Sequence, residues 1–283
     1  MISNKHQATV DGFGDEWERF DQSQLTTEEH VSLFNGYFSV FPWAALPTEA
    51  VGFDMGCGSG RGAKLVAQKV GVLHCIDPSS ALDVAKRNLS KQTNCVFHSA
   101  GVSDHALPEK SMDFGYSLGV LHHVPDTAAG IAACTEMLKP GAPFLLYLYY
   151  AFDNRPFWFR WLWRATDILR RGISRLPHGA RYWVSQSIAV LVYWPLARAA
   201  SLAERIGAGK IITEMMPLGS YRHLSFYTMR TDALDRFGTR LEQRFTRKQI
   251  TEMMQAAGLE NVRISDAVPY WCAVGFRVRQ CAA

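Results

Sequence analysis

The sequence predicts an α/β protein with a doubly wound, seven-stranded, mostly parallel sheet and a large helical insertion after the fifth strand. Three observations support this prediction. Short apolar runs alternate with helical patterns at βαβ spacing from Val51 to Ala151. The alternation stops at Phe152 and resumes at Thr246. A glycine-rich turn follows the first apolar run, which is typical of sheets that bind a ligand beyond the carboxyl ends of their strands.

Each element has its own local justification. Pro140-Gly141 turns the chain into a fifth run that is apolar throughout, as expected of a strand buried on both faces. The last helix is ended by Gly258 and precedes two closing strands. The predicted strands are Val51–Met55, Val72–Ile76, Cys95–Ser99, Met112–Ser117, Pro143–Tyr150, Asn261–Ser265 and Trp271–Val278. The predicted helices of this core are Arg61–Lys69, Ser80–Leu89, Thr127–Leu138 and Thr246–Ala257.

Four segments follow from this pattern. Helical patches over Glu16–Asp21 and Glu28–Phe41 mark an N-terminal extension. The predicted organisation is an N-terminal helical cap (1–50), a cofactor-binding α/β core (51–151), an inserted helical lid or substrate region (152–245), and the last helix with the closing strand pair (246–283).

Composition restricts the protein class. The 283 residues contain no apolar run as long as the ~18 residues of a membrane-spanning helix, and the N-terminus has no apolar signal core. We therefore expect a cytoplasmic protein. The six cysteines form no CxxC pair and no Cys/His ligand spacing, so reduced core thiols are expected and no metal site is predicted. The alternative for these cysteines is a reactive or soft-metalloid-binding role.

The net charge of +4 is unevenly distributed. Residues 151–212 contain ten Arg or Lys against three acids, so this segment is +7 and the remainder of the chain is −3. Within it, Arg155–Arg175 mixes three tryptophans with six arginines. One basic helix face is predicted, because four arginines recur at helical spacing: Arg160, Arg164, Arg171 and Arg175. Residues 155–206 fit either a solvated lid over the active site or a peripheral contact with a membrane or lipid.

The glycine turn reads VGFDMGCGSG over residues 51–60, with glycines at Gly56, Gly58 and Gly60. Glycines let the backbone leave a strand sharply and bring its N–H groups against a ligand. Asp77 ends the next apolar run, 17 residues after Gly60, where a carboxylate can accept hydrogen bonds from two ribose hydroxyls. The combination predicts a nucleotide-type cofactor site.

Further blocks give this site a family context. They are FDMGCGSG (53–60), HCIDPS (74–79), LPEKSMDFGYSLGVLHHVPD (107–126), LKPGAPFLLYLY (138–149) and TRKQITEMMQAAGLENVRI (246–264). In this order the chain resembles class I S-adenosylmethionine-dependent methyltransferases, with their Rossmann-like sheet, of the small-molecule type related to ubiquinone-biosynthesis methyltransferases.

The resemblance implies S-adenosylmethionine as cofactor and direct methyl transfer to a small molecule, such as a phenol, a lipid-linked intermediate or a sugar-type acceptor. The three glycines would pass under the amino-acid part of the cofactor, and Asp77 would hold its ribose. Asp54 would orient the loop or meet the methionine amino group. The remaining implied cofactor contacts are Pro78 and the Gly101 and Val102 backbone at the adenine, and Leu118 and Gly119 at the methionine.

The alternatives use the same loop differently. Gly58-x-Gly60-x-x-Ala63 also fits a dinucleotide site, so an NAD(P)-dependent oxidoreductase is one alternative. A non-catalytic cofactor-binding module that contacts a membrane or a partner is another. The chain lacks the Asn/Asp-Pro-Pro-Tyr/Phe signature of nucleic-acid amino-methyltransferases, so no nucleic-acid substrate is expected. The pattern does not indicate the oligomeric state.

Candidate catalytic residues are His122, His123 and Tyr149. A histidine could act as general base on a hydroxyl. The alternative is that one histidine caps the following helix and the other packs under the sheet. Tyr149 could stabilise a sulfonium through cation–π attraction or could fill the core. Candidate substrate residues are Tyr150, Tyr221, Arg222, His223 and Arg230. In the N-terminal segment, Phe13 or Trp17 could fold over the cofactor, or this segment could be an ordinary packed helix.

Overall fold

The computed structural model describes residues 4–105, 107–207, 209 and 215–279. Cys281 of the predicted core thiols lies outside this range. The chain forms two compact units. The first contains the residues up to Gln22, Val31–Ala151 and the residues from Leu241 onward, and the second contains Ser23–His30 and Phe152–Arg240. The last five residues of the predicted insertion, 241–245, thus belong to the first unit.

The first unit is built on one sheet, which confirms the predicted doubly wound architecture. Among the described residues the sheet has seven strands in the order β3-β2-β1-β4-β5-β7-β6. Strands β1 to β5 pair in parallel, and β7 runs antiparallel to both of its neighbours. The strands are β1 Val51–Met55, β2 Val72–Ile76, β3 Cys95–His98, β4 Phe114–Leu118, β5 Pro143–Tyr147, β6 Leu259–Ile264 and β7 Cys272–Arg277.

Helices cover both faces of this sheet, because alternate residues of the central strands point to opposite sides. Phe144 and Leu146 of β5 belong to one buried cluster, and Leu145 belongs to the other.

The described residues of the two units form ten α-helices. In chain order they are α1 Gln7–Arg19, α2 Thr27–Tyr37, α3 Ala63–Val66, α4 Ala81–Asn88, α5 Thr127–Met137, α6 Phe157–Ile173, α7 His178–Ile188, α8 Trp194–Arg205, α9 Phe226–Gly238 and α10 Arg247–Ala256.

The ends of several elements differ from the sequence expectation. Strand β5 stops at Tyr147, which pairs with the first residue of β7, Cys272. Beyond this point the chain pairs with Phe245 instead: the Phe245 N–H donates to the Tyr149 carbonyl, and the Ala151 N–H donates to the Phe245 carbonyl. The first helix after the glycine turn is also shorter than predicted, because the chain tightens into a 3₁₀ turn over Ala67–Lys69.

The second unit is helical. Helices α7 and α8 are joined by a π-helical segment, Ala189–Tyr193, so the chain is helical from His178 to Arg205. Met229, Ala233 and Phe237 of α9 form a small core with this segment. Two buried arginines cap the carboxyl end of α9. Arg170 donates a hydrogen bond to the Thr239 carbonyl, and Arg181 donates one to the Gly238 carbonyl.

Two expectations from the sequence, the lack of a membrane-spanning helix and the lid role of the insertion, concern the helices. None of the helices in the described parts of the chain is long and apolar enough to cross a bilayer. The role of the insertion as a lid over the active site stays a prediction.

Candidate functional site

The glycine turn leaves β1 with three backbones in the left-handed region. Gly56, Gly58 and Gly60 have φ values of 82°, 52° and 78°. Both Gly56 and Cys57 donate their N–H groups to the carbonyl of Ile76, at 2.8 and 3.0 Å, which ties the loop to the end of β2. A Cβ atom at Gly56 would lie 2.4 Å from the Val120 side chain. Position 56 therefore requires glycine for its φ and for the closeness of Val120.

Asp77 follows β2 and is hydrogen-bonded to this loop. Its carboxylate accepts from the Gly58 N–H at 2.9 Å, from the Ser79 N–H at 2.9 Å and from the Ser79 hydroxyl at 2.6 Å. Burial raises the pKa of Asp77, and these hydrogen bonds partly offset the effect. Each carboxylate oxygen has two lone pairs, so the geometry leaves acceptor capacity for a bound ligand.

Asp54 lies one residue from the end of β1 and is 3% exposed. Burial raises the pKa of Asp54 to about 8; the nearby Tyr116 hydroxyl lowers it and the charge of Asp77 adds to the rise. The same burial raises the pKa of Tyr116 well above its usual value. At neutral pH this carboxyl group is therefore mostly protonated, and a cation placed beside it would favour its ionised form.

Three cysteines that are far apart in sequence lie side by side under this loop. The thiol of Cys75 interacts with those of Cys57 and Cys95. The pKa of Cys57 is raised to about 11, because burial and the neighbouring acids outweigh the hydrogen bond from Cys75. These groups are thiols at neutral pH. Across the described residues, no group of three or more His, Cys, Asp or Glu side chains has the geometry to hold a metal ion.

Helix α1 lies across the glycine loop. The Trp17 indole is 3.0 Å from where a Cβ of Gly58 would be, and the Arg61 guanidinium lies 6.0 Å from the centre of this ring. Gly14 approaches Ser80 so closely that a Cβ there would be 2.5 Å from the hydroxyl oxygen. Trp17 thus lies against the glycine loop, and the role of this segment as a cover over the cofactor stays a prediction.

The two histidines form a 3₁₀ turn, Leu121–His123, directly after β4. The interpretation of one histidine as a helix cap is wrong, because the side chain of Asp126 caps α5 by accepting the Ala129 N–H. The rings of His122 and Tyr149 are 3.9 Å apart between centres, and those of His123 and Tyr149 are 5.4 Å apart. The structure therefore brings together all three candidate catalytic residues.

The two histidines differ in their chemistry. His123 contacts the Leu241 carbonyl through Nδ1 at 2.6 Å, and since a carbonyl only accepts, Nδ1 carries the proton. In the neutral ring Nε2 is then the basic nitrogen. His122 is completely buried, and neither of its ring nitrogens has a hydrogen-bond partner among the described residues. Burial, His123 and Arg244 lower the pKa of His122 well below its usual value, so it remains neutral.

Arg244 and Glu242 were not found from the sequence. The Arg244 guanidinium lies 4.9 Å from the centre of the Tyr149 ring and donates to Glu242 at 2.8 Å. The side chain of Glu242 is only 1% exposed, so this ion pair is buried beside the aromatic cluster. No local pattern in the sequence indicated this pair, because both residues lie in the segment that the sequence assigned to the insertion.

Leu118 and Gly119, which the family resemblance implies at the methionine end of the cofactor, also lie at the carboxyl edge of the sheet. Leu118 is the last residue of β4, and the Gly119 N–H donates to the Tyr147 carbonyl at 3.0 Å. The Tyr147 ring packs against Tyr149 and against Tyr37 of α2, with centres 6.0 and 5.1 Å apart. Burial raises the pKa of Tyr147 well above its usual value, so the phenol remains neutral.

The residues that the family resemblance implies at the adenine are already engaged or buried in this structure. The Gly101 N–H is already bonded to Asp104 at 2.5 Å, and Val102 is buried in the core. Pro78 is half-buried between Asp77 and Ser79. These adenine roles stay predictions.

The candidate substrate residues are not gathered at one place. The Tyr150 ring packs on Tyr270 and Trp271 in the first unit, with centres 5.2 and 6.2 Å apart. The other four make contacts within the second unit. Arg230 donates to Gln186 and Tyr182, Arg222 and His223 contact Glu204, and Tyr221 packs on Tyr193. These four side chains thus connect elements of the second unit to one another. Their roles in substrate binding stay predictions.

Comparisons with known proteins agree with this geometry. The family described as "Methyltransferase domain" matches residues 53–146, from β1 to β5. The chain is 36% identical over 91 residues to the ubiquinone biosynthesis O-methyltransferase of Saccharophagus degradans, which covers 31% of this chain and 39% of that protein. It is 31% identical over 144 residues to the enzyme of the same name from Hahella chejuensis, covering 50% and 57%. The chain thus spans less than two thirds of either relative.

A solved structure shows the same fold. The apo form of the S-adenosylmethionine-dependent methyltransferase SibL aligns with a TM-score of 0.51 over 93% of this chain and 62% of that chain. The sequence identity is 13%, so this likeness concerns the fold alone.

Proposed function

We propose that this chain, a member of the class I S-adenosylmethionine-dependent methyltransferases, transfers a methyl group from S-adenosylmethionine to a small-molecule acceptor with an ionisable hydroxyl. The observation that carries the cofactor part is the joint geometry of the glycine loop and Asp77. Three left-handed glycines bring the backbone to the carboxyl edge of the sheet, and a buried carboxylate is fixed beside it. This is where doubly wound sheets bind their ligands.

The residues at this edge fit the charge of the cofactor. Asp54 is a buried carboxyl group with a pKa near 8, and an ammonium group bound beside it would stabilise its ionised form. Tyr37, Tyr147 and Tyr149 supply aromatic faces of the kind that attract a sulfonium. When bound, S-adenosylmethionine supplies a methyl group on a positively charged sulfur, which is activated for attack by an acceptor lone pair.

The protein's own contribution is alignment, exclusion of water and removal of the acceptor proton. His123 is the base that the geometry favours, because its Nδ1–H is held by the Leu241 carbonyl and its Nε2 is basic. His122 and Tyr149 pack against it and fix its ring. Phe13 of α1 covers the His123 ring at 5.0 Å between centres, which limits the access of water.

The acceptor class follows from this base. A neutral histidine can deprotonate a phenol or a similarly acidic hydroxyl, and the two relatives described above are named O-methyltransferases. We therefore place a phenol first among the acceptors, ahead of a lipid-linked intermediate and a sugar-type hydroxyl.

The test is a turnover assay with methyl-labelled S-adenosylmethionine and a panel of phenols, lipid-linked phenols and sugars. We expect label transfer by the wild-type protein, and a fall in kcat of about 10²- to 10⁴-fold in His123→Asn, with the affinity for S-adenosylhomocysteine unchanged. His178→Asn, at the exposed start of α7, is the matched control and should keep the wild-type rate. Equal kcat values for His123→Asn and the wild type would contradict the role of His123. Cofactor binding without transfer to any acceptor would favour the non-catalytic alternative.

A further inference from the structure

The inserted helices leave a large apolar surface exposed. Of the nineteen large hydrophobic residues that are exposed in the described parts of the chain, thirteen lie between residues 157 and 206. Large contiguous apolar patches on a protein surface usually bind something, so the arrangement of these residues on each helix matters. The thirteen are Phe157, Trp158, Trp161, Leu162, Ile168, Leu169, Trp183, Val190, Leu191, Val192, Trp194, Leu202 and Ile206.

Helix α6 has three distinct faces when its residues are placed at about 100° each. One face carries the buried side chains, among them Asp167 and Arg170. A narrow second face carries Arg160, Arg164 and Arg171, all exposed. The third face is an arc about 140° wide that holds the exposed apolar residues. These are Phe157, Trp158, Trp161, Leu162, Ile168 and Leu169.

The helical stretch from α7 to α8 repeats this arrangement. Trp183, Leu191, Trp194 and Leu202 are exposed by 70%, 74%, 50% and 61%, and they follow one another at spacings of three, four or a multiple of these. Arg198 and Arg205 are exposed on the same stretch. Two successive helical segments of one unit thus each carry an exposed apolar stripe with arginines beside it.

The exposed arginines are additional to those that hold the unit together. Arg170 and Arg181 are buried and bind carbonyls at the end of α9. The other six arginines between residues 157 and 206 are exposed, and they are Arg160, Arg164, Arg171, Arg175, Arg198 and Arg205. The two acids of this segment are Asp167, which is buried against Arg170, and Glu204, which is bonded to Arg222. The exposed surface of these helices is therefore basic as well as apolar.

We propose that the exposed apolar and basic residues of α6, α7 and α8, which together we call the Trp-Arg face, bind the surface of a lipid bilayer that contains anionic headgroups. Tryptophan is favoured at the boundary between headgroups and acyl chains, and arginine extends its charge to the phosphates while its stem stays in the apolar layer. Helices of this kind lie in the plane of the interface.

The positive charge of the Trp-Arg face favours an anionic bilayer over a second copy of the chain as its binding partner. Self-association through the Trp-Arg face would bring two surfaces of the same positive charge together, whereas an anionic bilayer supplies the opposite charge and an apolar layer at once. The proposal goes beyond methyl transfer and needs no cofactor or acceptor, so it stands or fails separately from the proposed function.

The test is flotation of the full chain with vesicles of phosphatidylcholine alone and of phosphatidylcholine with phosphatidylglycerol. We expect binding to the anionic vesicles that weakens as salt rises. Trp161→Ala/Trp183→Ala should bind at least about tenfold more weakly, because each indole buries a large apolar area. Arg160→Gln/Arg164→Gln should bind about thirtyfold more weakly, at about fivefold for each arginine. The matched control, Lys86→Gln/Lys248→Gln, removes the same charge from exposed sites of the first unit and should bind as the wild type does.

Three outcomes would overturn the proposal. The first is a folded wild-type protein that stays with the buffer at low salt. The second is vesicle binding that survives both the Trp and the Arg replacements. The third is a dimer in solution that dissociates in Trp161→Ala/Trp183→Ala without any vesicle binding, which would assign the face to a second copy. All substituted side chains are exposed, and a circular dichroism melt verifies that each variant is folded.

Discussion

The carboxyl edge of the sheet and the inserted helices use polar and apolar groups in opposite ways. At the sheet edge, Asp54 and Asp77 are buried and Asp77 is bound to the glycine loop, while apolar residues fill the core on both faces. In the inserted helices, a buried ion pair between Asp167 and Arg170 contributes to the interior, while tryptophans and leucines face outward. The first region has the features of a small-ligand site, and the second has those of an interaction surface.

The largest effect should come from the ion pair of the second unit. The Asp167 and Arg170 side chains are 9% and 5% exposed and 2.6 Å apart. Asp167→Ala leaves the Arg170 charge buried, so we expect a loss of about 4 kcal/mol in the free energy of unfolding. The same change at Asp83, which pairs with Lys86 at exposed positions, should cost under about 1 kcal/mol. Urea denaturation measures both, and equal losses would show that burial does not separate the two pairs.

A matched pair of glycine substitutions distinguishes the two regions next. Gly56→Ala forces a side chain into a left-handed backbone and against Val120, and should cost about 3 kcal/mol. Gly172→Ala lies in α6 with nothing within 4 Å of the new Cβ, and should stabilise by about 0.5–1 kcal/mol. Thermal unfolding compares them. A neutral Gly56→Ala would contradict the described loop.

The pH dependence of stability isolates Asp54. The folded protein keeps the Asp54 proton up to about pH 8, whereas the unfolded chain loses it near pH 4. The folded state then binds more protons in this window, so the free energy of unfolding should fall as pH rises through it, by at least about 2 kcal/mol. Asp54→Asn should lack this component when denaturation midpoints are compared from pH 5 to pH 8. Parallel profiles for the two proteins would exclude the buried, protonated carboxyl group.

Trp17→Ala should lower the free energy of unfolding by only about 1 kcal/mol, because the ring is half-buried. It should nevertheless speed hydrogen exchange at the Gly58 amide and the dissociation of S-adenosylhomocysteine, since the indole lies against this loop. Trp161→Ala, which is exposed on α6, serves as the control and should leave both rates unchanged. Unchanged rates in Trp17→Ala would assign α1 to packing alone.

The sequence predicted the sheet edge well because its signals are local. A left-handed turn requires glycine at particular positions, and a carboxylate after the next strand shares the same edge in any parallel pair. The succession of the strands along the chain and the positions of the glycines were therefore accessible. The strand ends were less accessible, since Tyr147 ends β5 only because its partner strand begins at Cys272 and Phe245 then takes over the pairing.

Side-chain contacts between segments that are distant in sequence could not be predicted from local sequence patterns. Arg244 reaches Tyr149 from a part of the chain almost a hundred residues away, and His123 is oriented by Leu241. In the second unit the sequence indicated a basic, Trp-rich segment. Which arginines are buried under α9 and which are exposed depends on helix packing, and only the structure shows this.

The central claim is that the glycine loop and Asp77 form the cofactor site, and calorimetry with S-adenosylhomocysteine tests it most directly. We predict micromolar binding to the wild type, a loss of at least about a hundredfold in Asp77→Ala because hydrogen bonds to a buried carboxylate are removed, and unchanged binding in Asp83→Ala. Contradiction would come from a folded wild-type protein that does not bind, from equal affinity in Asp77→Ala, or from preferential binding of a nicotinamide cofactor.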